Sequence, residues 1–316
     1  MSNDNELDVI IVGAGPAGLC AAMYAGRGML KAVVLERGIP GGELLNTEKI
    51  EDYPGFLSIL GTELAQKMTE HAEAFGAEIR TAEVEGIRRQ EDGTFEVTTA
   101  DGDTYRAPTV ILTAGGTPVK LGVPGELDFA GRGVSYCAVC DGAFFKGETI
   151  AVVGGGDAAV EEAVYLTRYA AKVYVIHRRD EFRASKLLQE RLFKEPKIEV
   201  IWNHQVREMI GEPSGLKELK LSHSQTGEER TLAVTGCFVL IGFNPNSGLI
   251  KEHFEHDASG YIVTDDRMMT SIPGLFAAGD LRVQLTRQVT TAVGDATTAA
   301  IAVEKYLSER KSAAVA

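Results

Sequence analysis

Residues 8–18 read Asp8-Val9-Ile10-Ile11-Val12-Gly13-Ala14-Gly15-Pro16-Ala17-Gly18, and residues 149–159 read Thr149-Ile150-Ala151-Val152-Val153-Gly154-Gly155-Gly156-Asp157-Ala158-Ala159. Both place a short aliphatic run before a glycine cluster and an alanine-bearing stretch, the pattern of a buried parallel strand turning into a helix. A helix over 17–27 and a strand over Lys31-Ala32-Val33-Val34-Leu35-Glu36 complete the first unit. A helix through Glu161-Glu162-Ala163-Val164-Tyr165-Leu166 and a strand over Lys172-Val173-Tyr174-Val175-Ile176-His177 complete the second. Each is a βαβ unit.

The expected fold class is therefore α/β, with two Rossmann-like nucleotide-binding domains rather than an array of short repeats. Glycine, proline and asparagine cluster after an apolar strand at Gly115-Gly116-Thr117-Pro118 and again at Gly242-Phe243-Asn244-Pro245-Asn246. Cutting there leaves a middle domain, 118–245, inserted within an outer one made of 1–117 and 246–316. The length of 316 residues suits two domains, and 44 % hydrophobic residues suit a globular chain. A net charge of −13 argues against nucleic acid as a partner. The polar start Ser2-Asn3-Asp4-Asn5-Glu6 has no basic stretch or cleavage site, and no apolar run reaches the roughly 18 residues that cross a bilayer. No membrane association is expected, and the expected compartment is the cytoplasm.

Glycine is abundant, at 35 residues, without any low-complexity tract to hold it. In the first turn Gly13 permits the tight bend, Gly15 lets backbone approach a pyrophosphate, and Gly18 allows helix to pack on strand; Pro16 and Ala17 open the helix. The free amides there favour phosphate. Gly154, Gly156 and Ala159 repeat that spacing, with Asp157 and Ala158 opening the second helix. The residue ending each second strand separates the two turns. Glu36 suits ribose hydroxyls and repels a 2′-phosphate, whereas Arg178, Arg179 and Arg183 suit that phosphate. The second turn is expected to take NADP, and the first NAD or FAD. Gly274-Leu275-Phe276-Ala277-Ala278-Gly279-Asp280 is a short strand ending in an acid that could meet ribityl hydroxyls.

Of the four cysteines, Cys137 and Cys140 frame Cys137-Ala138-Val139-Cys140-Asp141. Such a pair at a helix start can close a small disulfide ring, with a lowered thiol pKa favouring attack. Zinc would need two more ligands, and Cys20 and Cys237 stand singly at positions that read as core, so no metal is expected. Asp141 reads equally as the acid and base of dithiol chemistry and as an ordinary first-turn acid.

The ordered set closely resembles the low-molecular-weight thioredoxin reductases of bacteria: the first glycine turn, Gly41-Gly42, Cys137-Ala-Val-Cys140-Asp141-Gly142, the second glycine turn, His177-Arg178-Arg179 with Arg183, and Gly279-Asp280 with Arg287-Gln288. The resemblance spans essentially the whole chain. It implies a homodimeric flavoenzyme in which NADPH reduces FAD, FAD reduces the cysteine disulfide, and the dithiol reduces thioredoxin. The outer domain would then bind FAD and the inserted one NADPH. By position, Cys140 would face the flavin, Cys137 would attack the partner disulfide, and Asp141 would be the acid/base. Gly13, Gly15, Gly18 and Glu36 would hold the adenosine diphosphate of FAD. Gly41, Gly42, Asn46, Gly115, Gly279, Asp280, Arg287 and Gln288 would line the rest of it. Gly154, Gly156, Asp157, Ala158, Ala159, His177, Arg178, Arg179 and Arg183 would hold NADPH, and Arg132, Phe144 and Phe145 would dock thioredoxin.

Three departures stand out: Glu43 where the family has Gln after Gly-Gly, Thr113-Ala114-Gly115 for Ala-Thr-Gly, and Ala143 where an aromatic is common. Because the basic glycine turn and the cysteine pair share the inserted domain, both reach one flavin only if that domain rotates on its two junctions.

Overall fold

A computed structural model describes residues 7–47 and 49–315. The polar start at 2–6 lies outside them. The chain divides into two compact units, Met1–Thr117 with Asn244–Ala316, and Pro118–Phe243. The second crossing thus falls within the Gly-Phe-Asn-Pro-Asn cluster.

The outer unit is built on a five-stranded sheet in the order Leu275–Ala277, Thr109–Leu112, Val9–Val12, Ala32–Glu36, Glu78–Thr81. Every neighbouring pair runs parallel. A strand buried on both faces needs apolar residues at every position, and Val9–Val12 supplies four in a row. Val9 and Ile11 pack with the helices Pro16–Arg27 and Val289–Val315 through Ala17, Ala21, Ala25, Ala296 and Ala299. Small alanines let those helices approach each other and the sheet closely. Ile10 and Val12 face the other way, toward Phe95, Val97 and Ile262. Phe95 and Val97 belong to a three-stranded antiparallel sheet, Val84–Arg89, Phe95–Thr99 and Thr104–Ala107.

The middle unit repeats this plan. Its five-stranded sheet has the order Val134–Ser135, Gly236–Leu240, Thr149–Gly154, Lys172–Ile176, Ile198–Ile201. These pairs are parallel as well. Ile150 and Val152 face Ala159, Ala163 and Leu166 of the helix Asp157–Leu166. Ala151 and Val153 face Val206, Leu219 and Leu221 of a second antiparallel sheet, His204–Glu212, Gly215–His223 and Glu229–Ala233. In each unit a parallel strand, Val9–Val12 or Thr149–Gly154, therefore ends where a glycine turn starts a helix, placing each turn at the carboxyl edge of its sheet.

Candidate active site

In the outer unit Gly13 has a φ of +101°, and a Cβ there would lie 2.8 Å from Thr113 O. A Cβ on Gly18 would overlap Gly13 O. Thr113 Oγ1 donates into this bend, reaching Val12 O and Gly13 O at 2.9 Å each. Pro16 opens the helix Pro16–Arg27, where its missing N–H costs no helical bond. Buried Ala17 stands one residue on. Glu36 does more than await a ribose: its Oε2 accepts from Ala14 N at 2.7 Å and its Oε1 from Gly38 N at 3.0 Å. Each oxygen keeps a second lone pair for a hydroxyl, and the carboxylate is fixed at the edge of the turn.

Two further glycine turns close on the first. Gly41 N donates to Ala14 O at 2.8 Å, and a Cβ on Gly42 would lie 3.0 Å from Gly15 Cα. A Cβ on Gly279 would lie 3.1 Å from Ala17 Cβ, and Gly279 N is held by Asp295 Oδ2 at 3.2 Å. Asn46 Nδ2 donates to Glu43 Oε2 at 3.2 Å. Gly115, with a φ of +56°, accepts from Asn246 N at 2.9 Å, while Asn246 Nδ2 donates to Ala114 O at 2.7 Å. Arg287 stacks 4.1 Å over the Tyr261 ring and donates from Nε to Asp280 O at 3.3 Å. Gln288 stands at the head of the C-terminal helix, its N–H donating to Thr291 Oγ1 at 3.1 Å. Asp280 Oδ1 is sealed from solvent with no hydrogen-bond partner. Burial pushes the Asp280 carboxyl up to about 6, against the pull of Arg287 and with the help of the Glu43 and Asp295 charges. A cradle crowded by backbone, with an orphaned buried acceptor beside it, fits a ligand that brings both phosphate and hydroxyls.

In the middle unit the backbone past the second strand folds back onto the second turn. Arg183 N and Ala184 N donate to Gly155 O at 2.8 and 3.2 Å, and Ser185 N donates to Asp157 Oδ1 at 2.7 Å. This staples the exposed Arg183 to the glycine turn, with Arg178 and Arg179 also exposed just beyond the strand Lys172–Ile176. Gly156 meets open space, exposed Ala158 leads the helix, and Ala159 fills the third position, fully buried. A phosphate-bearing nucleotide fits this basic rim.

His177 sits at the second glycine turn as a buried side chain. It lies beneath the turn, 7 % exposed, with Nδ1 2.8 Å from Gly154 O and its ring where a Cβ on Gly155 would overlap it. Nδ1 therefore carries the proton, and Nε2 is sealed without a partner. Burial holds this imidazole below its ordinary value, with the Arg179 and Arg178 charges adding to that push and the Gly154 and Glu181 carbonyls opposing it. The ring lies against Gly154 and Gly155 and supports the loop from below.

Cys137 and Cys140 are joined as a disulfide across the first turn of the short helix Ala138–Asp141. Cys140 N donates to Cys137 Sγ at 3.2 Å. Ser135 Oγ donates to Asp141 Oδ2 at 2.6 Å and accepts from Cys137 N at 3.1 Å, so one hydroxyl links the carboxylate to the turn. Cys20 and Cys237 are buried, and burial pushes both thiols up, out of the reactive range. Among the described residues no group of three or more His, Cys, Asp or Glu could hold a metal ion.

The model of the pyridine nucleotide-disulphide oxidoreductase family matches residues 7–296. The chain belongs to that family. Within the oxidoreductases it is 48 % identical to a thioredoxin reductase of Bacillus subtilis over 98 % of this chain and 97 % of the relative. A crystal structure of a thioredoxin reductase from Streptococcus pyogenes matches with a TM-score of 0.93 and 46 % identity over 97 % of this chain and all of that one. One from Lactococcus lactis matches with a TM-score of 0.66 and 44 % identity over 96 % of this chain and all of that one. The relatives are of the low-molecular-weight type, and membership implies a flavin and a pyridine nucleotide as working groups.

The three residues expected to dock a protein partner have different settings in this oxidoreductase. Phe144 is 41 % exposed, whereas Phe145 is partly buried and packs edge-on against Phe238 at 5.3 Å, at the margin of a core cluster of the middle unit. The Arg132 guanidinium donates to Pro213 O at 3.0 Å and to Asp128 O at 2.6 Å. Thr113, Asp295 and Ser135 were not legible as site residues. Their partners stand far away in sequence or, for Ser135, follow an unremarkable strand end.

Proposed function

We propose that the chain is an NADPH-dependent thioredoxin-disulfide reductase carrying FAD in the outer unit and taking NADPH on the middle one. The observation that carries the reading is the Cys137–Cys140 disulfide beside Asp141, in the same compact unit as the glycine turn bordered by Arg178, Arg179 and Arg183. The turns at Gly13–Gly18, Gly41–Gly42 and Gly279–Asp280, with Glu36, Asn46, Gly115, Arg287 and Gln288, would hold FAD. Gly154, Gly156, Asp157, Ala158, Ala159 and the three arginines would hold NADPH, with His177 supporting the loop. Bound, the flavin supplies a two-electron relay between the nicotinamide and the disulfide.

On this reading the Cys137–Cys140 disulfide takes up two electrons and two protons and becomes a dithiol. The Cys137 thiolate then attacks one sulfur of the partner disulfide, forming a mixed disulfide and releasing a thiolate that takes a proton. Cys140, deprotonated, attacks Cys137 Sγ; its own disulfide re-forms and the second partner sulfur leaves, to be protonated. Asp141, linked to the turn through Ser135, holds and moves these protons. Phe144 and Arg132 are the surface positions offered to thioredoxin. Rotation of the middle unit on its two junctions belongs to the same reading, as do a homodimer and a cytoplasmic setting. No helix among the described residues is long and apolar enough to cross a membrane.

An anaerobic titration tests this. NADPH should bleach the yellow flavin absorbance, and oxidised thioredoxin should restore it with loss of the partner's disulfide. No bleaching, or bleaching that only oxygen reverses, overturns the reading.

A further inference from the structure

The amides of the Cys137–Cys140 turn are shared unequally. Cys140 N points at Cys137 Sγ at 3.2 Å, but the amide next to Cys137, Ala138 N, donates to Glu162 Oε2 at 3.1 Å. Glu162 comes from a different element, the helix Asp157–Leu166 that starts at the second glycine turn. The two elements are tightly seated: Ala138 is fully buried, and a Cβ on Gly142 would lie 3.0 Å from Leu166 Cδ2. Glu162 is itself half-buried.

We propose that Glu162 is a positioning residue for the redox turn, anchoring it through the Ala138 amide and keeping the reduced Cys137 sulfur protonated to higher pH than the turn alone would. The inference rests on the reading that Cys137 and Cys140 cycle between disulfide and dithiol. A carboxylate that takes an N–H of the turn occupies a donor whose dipole would otherwise favour negative charge there. Bonded to the amide of the residue after Cys137, the carboxylate also sets a like charge at the turn, which disfavours a second negative charge. Burial pushes the Glu162 carboxyl above its ordinary range, the Ala138 amide pulls it back, and neighbouring Glu161 pushes it further up. The other titratable groups on the packed elements include Asp141 and Cys140 on the redox helix, Asp157 and Glu161 on the helix of Glu162, and Tyr136 ahead of the redox helix, whose hydroxyl donates to Glu126 at 3.1 Å. Tyr165 and Tyr169 stand beyond Glu162 on and just after its own helix, and Lys146 follows the redox turn. An attacking thiol works best with a pKa near the ambient pH, and Glu162 opposes an over-stabilised thiolate.

The test uses the FAD-loaded protein reduced with a water-soluble phosphine, with the rate of Cys137 alkylation by iodoacetamide followed by peptide mass spectrometry across pH. Glu162→Gln keeps an acceptor for Ala138 N and removes the charge, so the midpoint of the Cys137 profile should fall by about one pH unit. Glu162→Met, which fills similar volume without an acceptor, should shift it in the same direction. Profiles that superimpose on the unaltered protein in whichever variant folds overturn the proposal, as does a failure of both to fold, which would make Glu162 a purely structural residue. Neither NADPH nor thioredoxin enters this measurement, so its outcome is separate from that of the flavin titration.

Discussion

Asp280 places a carboxyl where water is scarce and no donor meets Oδ1, and that local mismatch has a sign in pH. Its folded value of about 6 lies above the ordinary 3.8, so the folded protein binds this proton more tightly than the unfolded chain. The resulting penalty is absent below about pH 4, grows as pH rises toward 6, and persists above it. Asp280→Asn should therefore stabilise the flavin-free protein at pH 7.5 by about 2 kcal/mol, a figure reduced for the water that still reaches part of the side chain. Urea melts at pH 7.5 and pH 4 check this: the gain should vanish at the lower pH, and a gain of equal size at both would contradict the assignment. Loss of flavin affinity in the same variant would fit an acceptor matched to a hydroxyl-bearing ligand. His177 shows the limit of motif reading at this scale. Its place before two arginines suggested a cofactor contact, but a neutral ring under Gly154 and Gly155 is a matter of packing that no local spacing announces.

The two strand–turn–helix elements look alike in sequence and differ in tolerance. At Gly18 a side chain would overlap Gly13 O, whereas the equivalent Ala159 already carries one in a fully buried position. Gly18→Ala should cost about 3 kcal/mol and displace the first turn. Ala159→Gly should cost only about 1 kcal/mol, the helix-propensity difference. Thermal melts with flavin content measured alongside would check the pair, and equal losses would show that the turns are not held differently. These elements were legible because a phosphate cradle needs glycines at fixed spacing and a doubly buried strand needs an unbroken apolar run. The antiparallel sheets at 84–107 and 204–233 were not: their strands mix buried and exposed positions with charged residues throughout, as in Val84–Arg89, so no apolar run sets them apart. Thr113, Asp295 and Glu162 were hidden for another reason. Each acts on a backbone group brought near only by the completed fold, and the sequence around them reads as ordinary strand end or helix surface.

Across the molecule, each cluster of buried residues draws its described members from one unit: Val9, Ile11 and Phe276 in the outer one, Ile150, Val152 and Phe238 in the middle one. The middle unit is also continuous in the chain. Residues 118–243 produced alone should accordingly unfold in one cooperative urea transition and bind 2′-phospho-ADP-ribose within about tenfold of the whole protein, a difference of about 1.4 kcal/mol. A non-cooperative melt would show that its core is incomplete without the outer unit. Continuity of one unit and division of the other also impose an order in time. As the chain leaves the ribosome, the middle unit has all its strands once Leu240 has emerged, whereas the outer sheet still lacks its edge strand Leu275–Ala277 and the helix Val289–Val315. At ~5–20 residues per second, synthesis of residues 244–316 takes about 4–15 s, during which Val110 and Ile111 present an unpaired sheet edge. On the proposed assignment the turn at Gly279–Asp280 is also made in that interval, so prosthetic-group loading belongs to the last act of biogenesis, after the nucleotide half has already folded.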